Sequence, residues 1–100
     1  MNWEKHVEDL KAGKTVTLTP KGNSMTPKIN SGDFVFVSPD IDNIKKDDIV
    51  FCKVKGKYFV HLITAVGKNR YQIGNNHGHV NGWTSKKNIF GKVDGVLRPY

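Results

Sequence analysis

The sequence DDIVFCKVKGKYFVHLITAV, residues 47–66, contains two apolar runs separated by a lysine-glycine turn. In the first run, Val50, Cys52 and Val54 recur with the period of two that is typical of a half-buried strand. Two such runs joined by a short glycine-containing turn predict a β-hairpin. The same spacing predicts that Cys52 is a buried thiol rather than a nucleophile.

Short apolar runs bounded by turns also lie on both sides of this hairpin. Trp3, Val7 and Leu10 recur at helical spacing and Gly13 follows them, which predicts one short amphipathic helix within residues 1–13. The remaining strands are predicted at 15–19, 33–38, 70–74 and 88–97, and residues 75–82 are predicted to be a loop. So many strands predict one domain, 1–100, whose residues 15–98 are mainly β and form a small curled barrel or two packed sheets.

The chain is basic, with a net charge of +7 from 16 Lys and Arg against 9 Asp and Glu. Clustered cations would favour nucleic acid, but these are scattered through turns and along the hairpin, where lysine discourages aggregation between strands. The sequence has no zinc-finger spacing, helix-turn-helix pair or RNP-like strand. It therefore favours a solvated basic surface. A nucleic-acid-binding barrel stays as the least favoured functional alternative.

The sequence also bears on the compartment. No apolar run approaches the roughly 20 residues of a membrane span, and residues 1–14 lack the hydrophobic core of a signal peptide. The single cysteine excludes an internal disulfide. We expect a cytoplasmic protein without a membrane span.

Four histidines are the candidates for a general base. His6 belongs to the predicted helix, and His77 and His79 lie in the predicted loop without the further ligands that a metal site needs. His61 instead lies within an apolar strand, where an imidazole requires a polar partner. That partner is either a backbone carbonyl, as for an ordinary core histidine, or a hydroxyl such as that of Ser24. If Ser24 does not fill this role, it is a turn serine that bonds to nearby backbone.

Five segments considered together carry a family resemblance over about residues 16–93. They are GNSMTPKINSGDFVFV, KKDDIVFCKV, FVHLITAV, YQIGNN and NIFGKV. This pattern resembles the catalytic domain shared by signal peptidases and LexA-type self-cleaving repressors. The resemblance implies a fold of that type and a serine nucleophile in a Ser-Met-x-Pro turn, here Ser24, Met25 and Pro27.

The resemblance also assigns a base and several structural turns. The base position on the strand after the second turn is His61; histidine occurs there in the signal peptidases of the endoplasmic reticulum and archaea. Gly32 and Asp33 match a Gly-Asp turn, and Asp48 matches a second one in which Asp47 replaces the usual glycine. We expect these aspartates to stabilise turns.

In histidine-containing relatives a carboxylate orients the imidazole, whereas the matching segment GNNHGHVNGW offers asparagines. We therefore expect Asn81 to act as a neutral orienter, with Asn76 behind it, because an amide oxygen can accept the second imidazole N–H. This loop should fold back near His61.

The sequence thus predicts a soluble serine endopeptidase with a Ser24–His61 dyad and backbone oxyanion donors at Gly22, Asn23 and Ser24. Its partner would be a protein or peptide bound as an extended strand, with no cofactor or metal. The family resemblance further implies small side chains beside the cut bond. The alternative is a catalytically inactive binding module of a phage or bacterial regulatory system. The natural substrate and the oligomeric state stay open.

Overall fold

The computed structural model describes residues 2–99 and has one helix followed by seven strands. The predicted limits at Met1 and Tyr100 lie outside the described residues. The elements are α1 (Trp3–Lys11), β1 (Val16–Leu18), β2 (Phe34–Ser38), β3 (Ile49–Val54), β4 (Lys57–Gly67), β5 (Arg70–Gly74), β6 (Val80–Ser85) and β7 (Ile89–Leu97), with a short 3₁₀ turn at Lys86–Asn88 before β7. The prediction of a mainly β fold with one short N-terminal helix is confirmed.

All seven strands belong to one antiparallel sheet in the order β1-β2-β7-β3-β4-β5-β6. The sheet is curled: β6 contacts β3, although two strands separate them in the sheet order. Thr84 on β6 donates its hydroxyl to the Lys53 carbonyl on β3 at 2.9 Å. The structure therefore has the curled sheet and not the two packed sheets that the sequence also allowed.

Strand β6 was not predicted: the loop expected over residues 75–82 ends at residue 79. Asn81 and Gly82 obscure the strand, because both residue types are depleted in strands. Gly82 has a φ of 140°, and a Cβ there would lie 3.3 Å from Val54 Cγ1. A glycine thus allows close packing where the sheet curls.

The two faces of the sheet pack different sets of apolar side chains. Leu10 of α1, Met25 and Val60 belong to one buried cluster, whereas Cys52 and Ile63 belong to the other. The prediction of a buried Cys52 is confirmed, and burial raises the pKa of its thiol to about 12. The thiol is therefore protonated near neutral pH and is a poor nucleophile.

Part of strand β4 has an unpaired edge next to the candidate site. It pairs with β3 from Lys57 to Leu62, whereas its ladder with β5 begins only at Leu62. Among residues 2–99, no strand pairs with the second edge of residues 57–61. His61 lies at the end of this unpaired stretch.

Candidate active site

The turn that carries Ser24 is anchored in the hydrophobic core. Met25 is buried beneath it, and the Met25 carbonyl accepts the Ile29 N–H at 3.0 Å. The Asn23 carbonyl accepts the Thr26 N–H at 3.2 Å. Apolar burial on one side of the turn therefore holds the neighbouring serine hydroxyl at a half-buried position on the other side.

His61 meets this serine from strand β4. Its side chain is 7% exposed, and Nε2 lies 3.1 Å from Ser24 Oγ. On the same side of the strand the Phe59 ring packs against the imidazole with centroids 4.8 Å apart. Val60 and Leu62 point into the opposite apolar cluster. The alternation of the strand thus aims the imidazole at the Ser24 turn, as expected from the sequence.

Asn81 occupies the other imidazole nitrogen. Its Oδ1 lies 2.7 Å from His61 Nδ1, and an amide oxygen can only accept a hydrogen bond. Nδ1 therefore carries the proton in the neutral ring and Nε2 presents its lone pair to the Ser24 hydroxyl. This is the tautomer that a general base requires.

Asn76, the second predicted orienter, lies elsewhere. Its Nδ2 donates to the Thr26 carbonyl at 2.9 Å, and its backbone N–H donates to the Ser24 carbonyl at 2.9 Å. The loop does fold back toward the site, but it places Asn81 against the imidazole and Asn76 against the serine turn. The expectation of Asn76 directly behind Asn81 therefore has no support in these contacts.

Burial sets the protonation state of His61. Desolvation lowers its pKa below the ordinary 6.5; the hydrogen bond to Asn81 acts in the opposite direction, and the charge of nearby His79 adds to the lowering. The neutral base form is thus favoured over imidazolium. A histidine in this setting can accept a proton near neutral pH without further perturbation.

We expect kcat/KM for peptide cleavage to rise with pH and reach its plateau with a midpoint below 6.5, because only neutral His61 can accept the serine proton. Folding stability should fall as pH drops below 6.5, since the unfolded chain binds this proton more readily. The rate profile and an NMR titration of the His61 ring in Ser24→Ala measure the shift. A midpoint above 6.5 in both would contradict it.

The backbone before Ser24 presents N–H groups of the kind that can bind an oxyanion. Within residues 2–99, the hydrogen bonds of the structure leave the N–H groups of Gly22, Asn23 and Ser24 without acceptors. Gly22 and Ser24 line a cleft beside this turn, whereas Asn23 does not. Gly22 has a φ of 103°, a conformation that a side chain would strain.

A cleft of about 650 Å³ contains Ser24 and His61 and extends to the aromatic rings of Trp3 and Tyr58. Met25, Ile29 and Val60 contribute an apolar wall. Trp3 and Tyr58 stack at 5.9 Å between ring centroids with an interplanar angle of 14°. The site therefore combines the polar Ser24–His61 pair with an apolar wall and aromatic rings, a combination typical of ligand-binding clefts.

The Gly-Asp turns lie outside this cleft. Asp33 is buried, accepts the Asn30 N–H at 2.8 Å and lies 3.4 Å from Arg98 Nη2; the Asn30 hydrogen bond chiefly, with Arg98, lowers its pKa. Gly32 has a φ of 90° and precedes it in this turn. These contacts give the turn a structural role.

The second turn is closed in the same way. Asp48 accepts the Lys45 N–H at 2.9 Å and forms an ion pair with Lys92 at 3.6 Å. Asp47 has a φ of 77°, in the left-handed region that glycine adopts most readily. The conformation accounts for the glycine expected at this position and gives neither aspartate a place in the cleft.

His77 is a residue whose placement the sequence did not reveal. Its Nε2 lies 3.0 Å from both the Asn23 carbonyl and the Thr26 hydroxyl. Within the described part of the chain, no group of three or more His, Cys, Asp or Glu could hold a metal ion. The only sequence signal was the density of asparagine and histidine in the segment 75–79, which does not indicate a partner.

No helix in residues 2–99 is long and apolar enough to cross a membrane.

The model of a family described as Peptidase S24-like matches residues 1–93. The match starts before the resemblance seen in the sequence, which began near residue 16, and so includes α1 and Trp3. A search of the curated proteins finds no match to the chain.

Proposed function

Because the chain belongs to the Peptidase S24-like family, we propose that it is a serine endopeptidase that cleaves a peptide bond in an extended segment. The observation that carries the proposal is the 3.1 Å contact between Ser24 Oγ and His61 Nε2, with Asn81 fixing the tautomer from Nδ1. A hydroxyl, a neutral base and an orienting acceptor in one line constitute an activated nucleophile. The catalytic unit is the single domain 1–100.

The reaction begins when Ser24 Oγ attacks the peptide carbonyl carbon while His61 Nε2 takes the hydroxyl proton. The new C–O bond moves an electron pair onto the carbonyl oxygen, whose charge the N–H groups of Gly22 and Ser24 stabilise. Collapse of this intermediate breaks the C–N bond, and the imidazolium returns its proton to the leaving amine. Water activated by His61 then hydrolyses the acyl-enzyme and restores Ser24.

Asn81 supports this cycle without contributing a charge. Its oxygen keeps the proton on Nδ1 and therefore keeps Nε2 available to Ser24. A neutral acceptor stabilises the imidazolium less than a carboxylate would. We therefore propose an active enzyme whose turnover is slower than that of a carboxylate-containing triad.

The substrate binds by strand addition. Residues 58–61 of β4, whose second edge pairs with no strand in the described chain, line the cleft together with residues 19–22. An extended peptide can pair with this edge through its backbone. Its alternate side chains would face Val60, Met25 and Ile29, which belong to one apolar cluster. Backbone pairing provides affinity for the peptide, and the apolar wall provides selectivity. The proposed chemistry of Ser24 and His61 requires no cofactor.

A peptide library tests this function. Purified protein should release new amino termini from a subset of unstructured peptides, and Ser24→Ala should release none. Ser31→Ala is the matched control, since Ser31 is an exposed turn serine on the same segment. Cleavage that persists in Ser24→Ala would refute the proposal, as would a wild-type protein that binds peptides but never cleaves them.

A further inference from the structure

The loop of residues 75–79, hereafter the clamp loop, lies directly against the turn that carries Ser24. We propose that His77 in this loop is a positioning residue that aims the Ser24 N–H into the oxyanion site. This inference rests on the proposed peptidase function, because an aimed N–H matters only if an oxyanion forms.

Four hydrogen bonds join the clamp loop to the nucleophile turn. Asn76 donates its backbone N–H to the Ser24 carbonyl and its side-chain Nδ2 to the Thr26 carbonyl, each at 2.9 Å. His77 Nε2 lies 3.0 Å from the Asn23 carbonyl oxygen and 3.0 Å from Thr26 Oγ1. The carbonyl before Ser24 and the carbonyl of Ser24 itself are thus both held by residues of the clamp loop.

The contact with Asn23 determines which nitrogen of His77 carries a proton. A carbonyl oxygen only accepts hydrogen bonds, so Nε2 at 3.0 Å from it must be protonated. The Thr26 hydroxyl also donates to the Asn23 carbonyl at 3.0 Å. Its oxygen can therefore receive a share of the His77 N–H. The Asn23 carbonyl oxygen thus accepts from the Thr26 N–H, the Thr26 hydroxyl and His77 Nε2, and His77 is the donor among them that lies outside the turn.

The rigid peptide bond transmits this arrangement to Ser24. The carbonyl of Asn23 and the N–H of Ser24 belong to one peptide plane, and in the trans form they point in opposite directions. Holding the Asn23 carbonyl toward His77 therefore directs the Ser24 N–H away from the clamp loop. No acceptor in residues 2–99 takes that N–H, and Ser24 lines the cleft. Rotation of this single plane would remove one oxyanion donor.

His77 is itself held in place by Asn75. Asn75 Oδ1 accepts the backbone N–H groups of His77 at 2.8 Å and of His79 at 3.0 Å. The Asn75 N–H donates to the His79 carbonyl at 2.9 Å, which closes the loop. The His77 side chain is exposed. It contributes little to the core, so its removal should affect catalysis more than folding.

The test compares His77→Ala with His77→Gln, which can donate an amide N–H from a similar position. We expect His77→Ala to lower kcat by roughly 10- to 100-fold, below the full effect of deleting an oxyanion donor, with KM and thermal midpoint nearly unchanged. The rate of Ser24 acylation by a fluorophosphonate should fall by a similar factor. His77→Gln should recover most of both rates. His6→Ala, a histidine on α1 outside the cleft lining, is the control.

An NMR readout of the Ser24 backbone N–H tests the clamp without using activity. Its resonance should shift and broaden in His77→Ala and return toward the wild-type position in His77→Gln. If the wild type is active and His77→Ala has the same kcat and the same acylation rate, the positioning role of His77 is refuted, while the peptidase proposal stays intact. If the wild type is inactive, the peptidase proposal fails, and an unchanged Ser24 resonance would overturn the clamp as well.

Discussion

Ser24→Ala and His61→Ala should each lower kcat/KM for peptide cleavage by at least about 10³-fold, and the double variant should be scarcely slower than either single variant. The reason is that in the proposed mechanism the hydroxyl and the imidazole perform one proton transfer across the 3.1 Å between Oγ and Nε2. Removing either partner disables the whole step. The remaining rate would come from binding and the backbone donors alone.

Stability measurements separate this effect from misfolding. Ser24 is half-buried and its hydroxyl makes one hydrogen bond, so Ser24→Ala should change the thermal midpoint little. His61→Ala leaves a space beside Phe59 and an Asn81 oxygen without its donor, and it should destabilise the fold. His61→Gln fills more of that space and serves as the second variant. Losses that multiply in the double variant would mean that the two groups act independently and would contradict the dyad.

Replacements of Asn81 should change both the rate and its pH dependence. In Asn81→Ala the imidazole loses the acceptor that fixes its tautomer, and we expect kcat to fall by about 10²-fold. Because the Asn81 hydrogen bond raises the pKa of His61, the acid limb of kcat/KM should move to still lower pH. Steady-state kinetics across the acid range measure both effects.

Asn81→Asp is the complementary change, and it should shift kcat and the acid limb of kcat/KM in the opposite direction. A carboxylate at 2.7 Å from Nδ1 would favour imidazolium, raise the pKa of His61 and increase kcat at pH values where the ring stays neutral. Asn43→Ala, in an exposed turn away from the cleft, is the control for both variants. An unchanged acid limb in both Asn81 variants would show that this residue does not orient the base.

The hairpin and its neighbours could be predicted from sequence because their apolar residues recur with a local period. Val50, Cys52 and Val54 needed only the alternation of a strand to be placed in one buried cluster. Strand β6 could not be predicted, since Asn81 and Gly82 resemble turn residues until the curl of the sheet brings Gly82 against Val54. Local propensity was overridden there by tertiary packing.

Some residues of the candidate site could likewise be predicted from the sequence, and others could not. Ser24, His61 and Asn81 were singled out because a family resemblance related segments that lie far apart in the chain. The contacts of His77 with Asn23 and Thr26 join residues separated by more than 50 positions, at 54 and 51. No periodicity or motif within either segment encodes that approach, so these contacts are evident only in the folded chain.

Covalent labelling of Ser24 tests the central claim most directly. Wild-type protein is incubated with a fluorophosphonate, and intact and peptide mass spectrometry locates any adduct. The proposed dyad predicts one adduct per chain, on Ser24, absent from Ser24→Ala, strongly reduced in His61→Gln and unchanged in Ser31→Ala. A folded wild-type protein that gains no mass on Ser24, and that binds an extended peptide as tightly as Ser24→Ala does, would contradict the dyad and identify a non-catalytic binding module.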